Sequence, residues 1–86
     1  MKATIYDSFE DLSENGVPGS IYYLDRGMAI RCPGCGKESC LPTEPGMAHQ
    51  WDWDGNKEFP TLTPSVHSVG CCGWHGYLRK GIWESC

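Results

Sequence analysis

Two short stretches of this chain share one pattern, in which two metal-capable side chains stand three positions apart and a glycine follows the second. They are Cys32-Pro33-Gly34-Cys35-Gly36 and Cys72-Gly73-Trp74-His75-Gly76. This is the spacing of a zinc knuckle, a tight turn that directs two ligands at one ion, and the trailing glycine permits a positive φ beneath the sulfur. Three thiolates and one imidazole suit a closed tetrahedral site. The sequence therefore predicts one zinc ion per chain, held by Cys32, Cys35, Cys72 and His75.

The length of the chain makes such a site useful for folding. With 86 residues, one domain over residues 1–86 is expected, and a domain of this size buries a small core that often needs a metal or disulfides. The N-terminus turns acidic at once, without the apolar segment of a secretion signal, and no apolar run reaches the ~20 residues that span a bilayer. We therefore expect a cytoplasmic protein without a membrane segment, in which C-x-x-C binds metal rather than forming disulfides.

The charge of the chain bears on its partners. The formal net charge is −4, and the seven basic residues are scattered along the sequence. Nucleic-acid-binding domains normally present a strongly basic face to the phosphate backbone. The composition therefore disfavours a nucleic-acid-binding zinc ribbon and favours a protein partner, while it gives no indication of the oligomeric state.

Local patterns predict an α+β fold made mostly of short antiparallel strands. Residues 1–25 have the capping and β-propensity signals of a strand, a short helix and a second strand. Residues 28–86 are expected to form a rubredoxin-like zinc ribbon, with the first knuckle at a hairpin tip and the second before a last hairpin. The expected elements are strands at 2–6, 21–24, 28–31 and 39–41, a helix at 8–12, and a hairpin over 77–84.

The remaining cysteines and histidines leave alternatives open. Cys71 competes with Cys72 because adjacent cysteines rarely reach the same ion, and Cys72 is favoured because only it has the knuckle spacing to His75. The other cysteines are expected to be small buried hydrophobic side chains: Cys40, Cys71 and Cys86. A second metal site that recruits His49 or His67 is the alternative, and His67 is also a candidate base if the zinc keeps an open position.

Two tryptophans alternate in the middle of the chain. Trp51 and Trp53 are flanked by Asp52 and Asp54, and the alternation places both indoles on one face of a strand. Two interpretations stay open. The indoles either fill a thin core or form an exposed aromatic patch that contacts a partner.

The second half of the chain resembles a known group of proteins. The resemblance rests on residues 60–66, P-T-L-T-P-S-V, and on residues 72–79, C-G-W-H-G-Y-L-R, together with the first knuckle and Trp51-x-Trp53. These segments are similar to short phage and prophage proteins of unknown function, often mislabelled as ammonia monooxygenase. Longer relatives lie beside bacterial ubiquitin-like conjugation genes and have been suggested to be metal-dependent peptidases. The resemblance covers about residues 30–86 and implies a metal at the two knuckles, but no monooxygenase chemistry, because the chain has no copper or iron constellation.

The sequence favours a zinc-stabilised, phage-type accessory protein that is not an enzyme. It would act in the host cytosol by binding a host or phage macromolecule, and the family resemblance implies interference with host defence or host metabolism. A zinc-dependent hydrolase of peptidase or isopeptidase type is the alternative, and it would need an open zinc position and a general base. The candidate bases are Glu38, Glu58, His67 and Glu84.

Replacing each of the two adjacent cysteines tests the ligand register. We predict that Cys72→Ala abolishes zinc binding because it removes a ligand. Cys71→Ala should keep the zinc and lower the free energy of unfolding by at most a few kcal/mol, as expected for lost packing. Metal analysis of the two purified variants decides between them, and the reverse result would move the second knuckle to Cys71.

Overall fold

Short strands and one helix make up the part of the chain that the computed structural model describes, which is residues 1–48, 50–67 and 72–86. The α+β class and the predominance of short antiparallel strands are confirmed, and the rubredoxin-like ribbon stays a prediction. No helix in these three ranges has both the length and the apolar content needed to span a bilayer. The elements in chain order are β1 (Thr4–Ile5), α1 (Phe9–Asn15), β2 (Ser20–Tyr23), β3 (Gly27–Arg31), β4 (Glu38–Pro42), β5 (Asp52–Trp53), β6 (Leu62–Thr63), β7 (Val66–His67), β8 (His75–Arg79) and β9 (Ile82–Ser85).

The first sheet has the strand order β1-β2-β3-β4 and carries the first knuckle. Strand β1 pairs in parallel with β2, and the other two pairs are antiparallel. The four residues from Gly27 to Ile30 of β3 are all buried, because this strand has a neighbour on each side and is covered on its faces. Cys32 comes directly after β3, and the first knuckle lies in the connection to β4, at the hairpin tip where the sequence predicts it.

The second half of the chain forms two smaller sheets, β5-β6 and β7-β8-β9. In the latter, Val66 lies opposite Gly76 and His67 lies opposite His75. Strands β8 and β9 form the predicted last hairpin. The sheets share one apolar core, whose buried members are Ala3, Ile21, Met28, Ile30, Leu41, Leu62, Val66, Leu78 and Trp83. The core therefore joins the strand before the first knuckle to the strands on both sides of the second.

Helix α1 begins one residue later than the predicted range 8–12 and also ends later. Ser8 is the N-cap, and its Oγ accepts a hydrogen bond from the backbone N–H of Asp11 at 3.0 Å. The helix continues to Asn15, because Leu12 is fully buried and holds the following turn against the sheet. The Arg31 guanidinium then ties the helix to the first knuckle. It donates to the carbonyls of Leu12 and Ser13 and, at 3.1 Å, to the carbonyl of Gly36.

Removing this guanidinium should destabilise the fold. We expect Arg31→Met to keep the packing of the aliphatic stem but to lower the free energy of unfolding by about 2–3 kcal/mol, because it removes several charge-assisted hydrogen bonds. The matched control is Arg26→Met. Arg26 makes a surface ion pair with Glu44, with side chains 75% and 46% exposed, and such pairs contribute at most about 1 kcal/mol. Urea denaturation measures both, and equal midpoints for the two variants would contradict the role of Arg31.

Candidate functional site

Three cysteine sulfurs come together beside the end of β3. Cys32 directly follows β3, Cys35 lies on the same hairpin tip, and Cys72 lies three residues before β8. Their sulfur atoms all lie within 4.8 Å of one another, and the sulfurs of Cys32 and Cys72 are 3.7 Å apart. Zn–S bonds of about 2.3 Å in a tetrahedron place two sulfurs roughly 3.8 Å apart. The separation therefore fits a shared zinc ion.

The backbone of the first knuckle is built as the motif predicts. The N–H of Gly36 donates to the carbonyl of Cys32 at 2.8 Å, and Gly36 has φ +80°. The N–H of Gly34 points at the Cys32 sulfur at 3.4 Å, a contact that stabilises a thiolate. A Cβ on Gly34 would lie 2.7 Å from the sulfur of Cys72. Glycine at this position therefore allows the two cysteine-bearing segments to approach each other.

The second stretch differs from the first, and the prediction that both trailing glycines take a positive φ is wrong for Gly76. Gly76 lies within β8, and the residue with a positive φ is Gly73, at +79°. Gly76 is needed for space instead, because a Cβ there would lie 2.6 Å from the ring of Trp74 and 2.2 Å from the carbonyl oxygen of Glu84. The chain therefore passes from a turn after Cys72 directly into a strand.

The neighbours of His75 are different from those of the three cysteines. It is the first residue of β8, is exposed, and does not belong to the cysteine cluster found in the described residues. Its Nε2 lies 2.8 Å from the Oγ of Ser65, and its ring stacks on that of His67. The fourth zinc ligand stays a prediction, and the competing Cys71 lies outside the described residues.

The oxidation state of the cysteines matters for metal binding. Cys35 is disulfide-bonded in this structure, so its sulfur becomes a zinc ligand only as the reduced thiolate. The expected burial of Cys40 and Cys86 is wrong, since both are exposed free thiols. Cys40 lies on the edge strand β4, where the side-chain alternation turns the neighbouring Leu41 toward the core.

Ser65 and His75 form a pair that the sequence analysis did not identify. Ser65 is half-buried between β6 and β7, after a cis Thr63–Pro64 peptide bond. The indole N–H of Trp51 donates to the Ser65 carbonyl at 3.2 Å, which fixes the backbone beneath the hydroxyl. Oγ and Nε2 lie 2.8 Å apart, within hydrogen-bond distance. In the tautomer with an unprotonated Nε2, the hydroxyl donates to the imidazole, which is the contact that a serine nucleophile makes with its general base. The two residues are ten positions apart, on either side of Cys72, and no motif in the sequence links them.

The two candidate partner-binding tryptophans are half-buried and pack against the core. The ring of Trp53 stacks on Tyr23 with centroids 5.0 Å apart, and its N–H donates to the carbonyl of Asn56. Burial, and then the charge of Asp54, raise the pKa of Tyr23 to about 12, so this phenol stays protonated as a hydrogen-bond donor. A role of Trp51 and Trp53 in partner binding stays a prediction.

Comparison with protein families gives a match over nearly the whole chain. The model of the BubE family, described as a bacterial ubiquitination-like system serine protease, matches residues 7–86. No curated protein and no solved structure matches the chain. The match agrees with the resemblance to proteins encoded beside bacterial ubiquitin-like genes, and it covers the cysteine cluster and the Ser65–His75 pair.

Two cysteine substitutions, one inside the cluster and one outside it, test whether metal binding and folding are linked. We predict that Cys35→Ser, purified under reducing conditions, loses zinc and unfolds or aggregates. Structural zinc contributes on the order of 10 kcal/mol in small domains, which equals or exceeds their usual net stability. Cys40→Ser is the matched control, because Cys40 is exposed and outside the cluster. Metal analysis with thermal melting measures both, and a zinc-free Cys35→Ser protein that melts like the wild type would contradict the linkage.

Proposed function

Since the chain belongs to the BubE family, we propose that it is a serine protease of a bacterial ubiquitination-like system, with Ser65 as nucleophile and His75 as general base. The observation that carries this proposal is the 2.8 Å contact between Ser65 Oγ and His75 Nε2. It supplies the nucleophile and base that the family description calls for. Within the described ranges it is also the only hydrogen bond between a serine and a histidine side chain.

The reaction follows from the geometry of the pair. The Ser65 oxygen attacks the carbonyl carbon of the scissile bond while its proton passes to Nε2 of His75. His75 then gives this proton to the departing amine nitrogen as the C–N bond breaks, which leaves an ester between the substrate acyl group and Ser65. Water attacks the ester with His75 again as base. The product acid leaves, and the proton returns to the Ser65 oxygen.

The surroundings of the pair suit this chemistry. Ser65 is held by the bond from Trp51 to its carbonyl, and His75 is held by the pairing of β7 with β8. Because His75 is exposed and Ser65 is half-buried, a polypeptide can reach the hydroxyl from solvent. The substrate class suggested by the family description is a ubiquitin-like protein, cleaved at a peptide or isopeptide bond.

We further propose that Cys32, Cys35 and Cys72 hold a structural zinc ion when reduced. The sulfur spacing and the soft donor set support zinc. The ion would join the end of β3 to the chain just before β8, and thus support the segment that carries His75. The interpretation of the protein as a non-enzymatic accessory protein that binds a macromolecule stays a prediction.

Serine-directed labelling tests the protease. A fluorophosphonate forms a P–O bond to an activated serine, with loss of fluoride and transfer of the serine proton to the base. We expect it to label the wild type at Ser65 and to label Ser65→Ala and His75→Ala at least about 10³-fold more slowly. Ser39→Ala is the matched control, since Ser39 is an exposed serine on β4 and should label like the wild type.

A cleavage assay distinguishes the serine protease from the zinc-dependent hydrolase. The substrate is a bacterial ubiquitin-like protein with a C-terminal extension, and its processing should require Ser65. Short exposure to a zinc chelator, while circular dichroism shows the protein folded, should leave the cleavage rate unchanged. Immediate loss of cleavage on chelation would instead favour the zinc-dependent hydrolase, and wild-type labelling of Ser65→Ala would overturn the serine mechanism.

A further inference from the structure

The ring of His67 packs flat against the ring of His75. The centroids are 4.7 Å apart and the ring planes are inclined by 26°. From this contact we propose that His67 is a positioning residue, which holds the imidazole of His75 in line with the Ser65 hydroxyl. The inference rests on the proposed function, in which His75 is the base.

The strand geometry explains why both contacts reach the same imidazole. Side chains two residues apart in an extended chain point to the same side, so Ser65 and His67 share one face while Val66 between them, 2% exposed, enters the core. His75 lies opposite His67 in the β7–β8 register. Its ring therefore meets the hydroxyl of one residue at its edge and the imidazole of the other at its face.

The other contacts of His75 explain why the stacking of His67 on its ring matters for orientation. In a serine–histidine–aspartate triad, a carboxylate hydrogen-bonded to the second ring nitrogen orients the imidazole. In the described part of this chain, the only side-chain hydrogen bond to the ring of His75 comes from Ser65. An exposed imidazole held at one atom is able to rotate about its side-chain torsion. A second ring against its face restricts that rotation, and the buried Val66 fixes the backbone that carries the second ring.

Substitution at His67 separates ring stacking from proton transfer. His67→Phe keeps an aromatic face but has no titratable nitrogen, whereas His67→Ala and His67→Gln remove the ring. With p-nitrophenyl acetate as the probe, we expect the two ringless variants to lose about 10–100-fold in kcat with KM within about 2-fold, as for a misaligned catalytic group. His67→Phe should stay within about 3-fold of the wild type. Arg79→Ala is the matched control, since Arg79 is exposed on β8 and packs on Tyr77.

The kcat values of the His67 variants decide whether the ring of His67 positions His75, and the labelling of Ser65→Ala decides the proposed function. Wild-type kcat in whichever ringless variant is folded by circular dichroism would overturn the positioning role. A His67→Phe variant as slow as the ringless variants would also overturn it, because an aromatic face would then not suffice. If fluorophosphonate labels Ser65→Ala like the wild type, the proposed function itself fails. Ser65-dependent labelling together with an inactive His67→Phe variant would refute only the stacking inference.

Discussion

The pairing of β7 with β8 is the contact on which the candidate chemistry depends. Its register sets His67 opposite His75 and Val66 opposite Gly76, and thereby places the Ser65 hydroxyl at the imidazole of His75. A slip of one residue would turn the side chains of β7 to the other face and separate the hydroxyl from the base. The register is held by the buried side chain of Val66, which the slip would expose.

The segment from Cys72 to His75 serves two sites at once. The sulfur of Cys72 faces the first knuckle, 3.7 Å from the sulfur of Cys32, whereas the imidazole of His75 faces Ser65. Between them, the indole of Trp74 packs edge-on against Trp83 of the core, with centroids 5.7 Å apart. A metal at the cysteines and a base at the serine are therefore compatible, because the strand begins at His75 and its imidazole faces Ser65.

The spacing C-x-x-H has two different structural meanings. In a knuckle the intervening residues form a turn, so the cysteine and the histidine point at one ion. Here the turn occurs at Gly73, which has a positive φ, and His75 already belongs to β8. The sequence spacing is the same in both cases, so the spacing alone does not fix the direction of the imidazole.

The local sequence was sufficient to predict the features that depend on residues close together in the chain. The turn around Cys32 and Cys35, the presence of a short helix near residue 8 and the last hairpin follow from glycine, capping and β-propensity signals over a few residues. The matched knuckle spacing also predicted that Cys72 shares a site with Cys32 and Cys35, and the structure places these three sulfurs together. Only the tertiary structure placed Ser65 beside His75 and exposed Cys40 on an edge strand. These arrangements depend on strand register, sheet order and burial, which are set by contacts between residues far apart in the chain and leave no local pattern in the sequence.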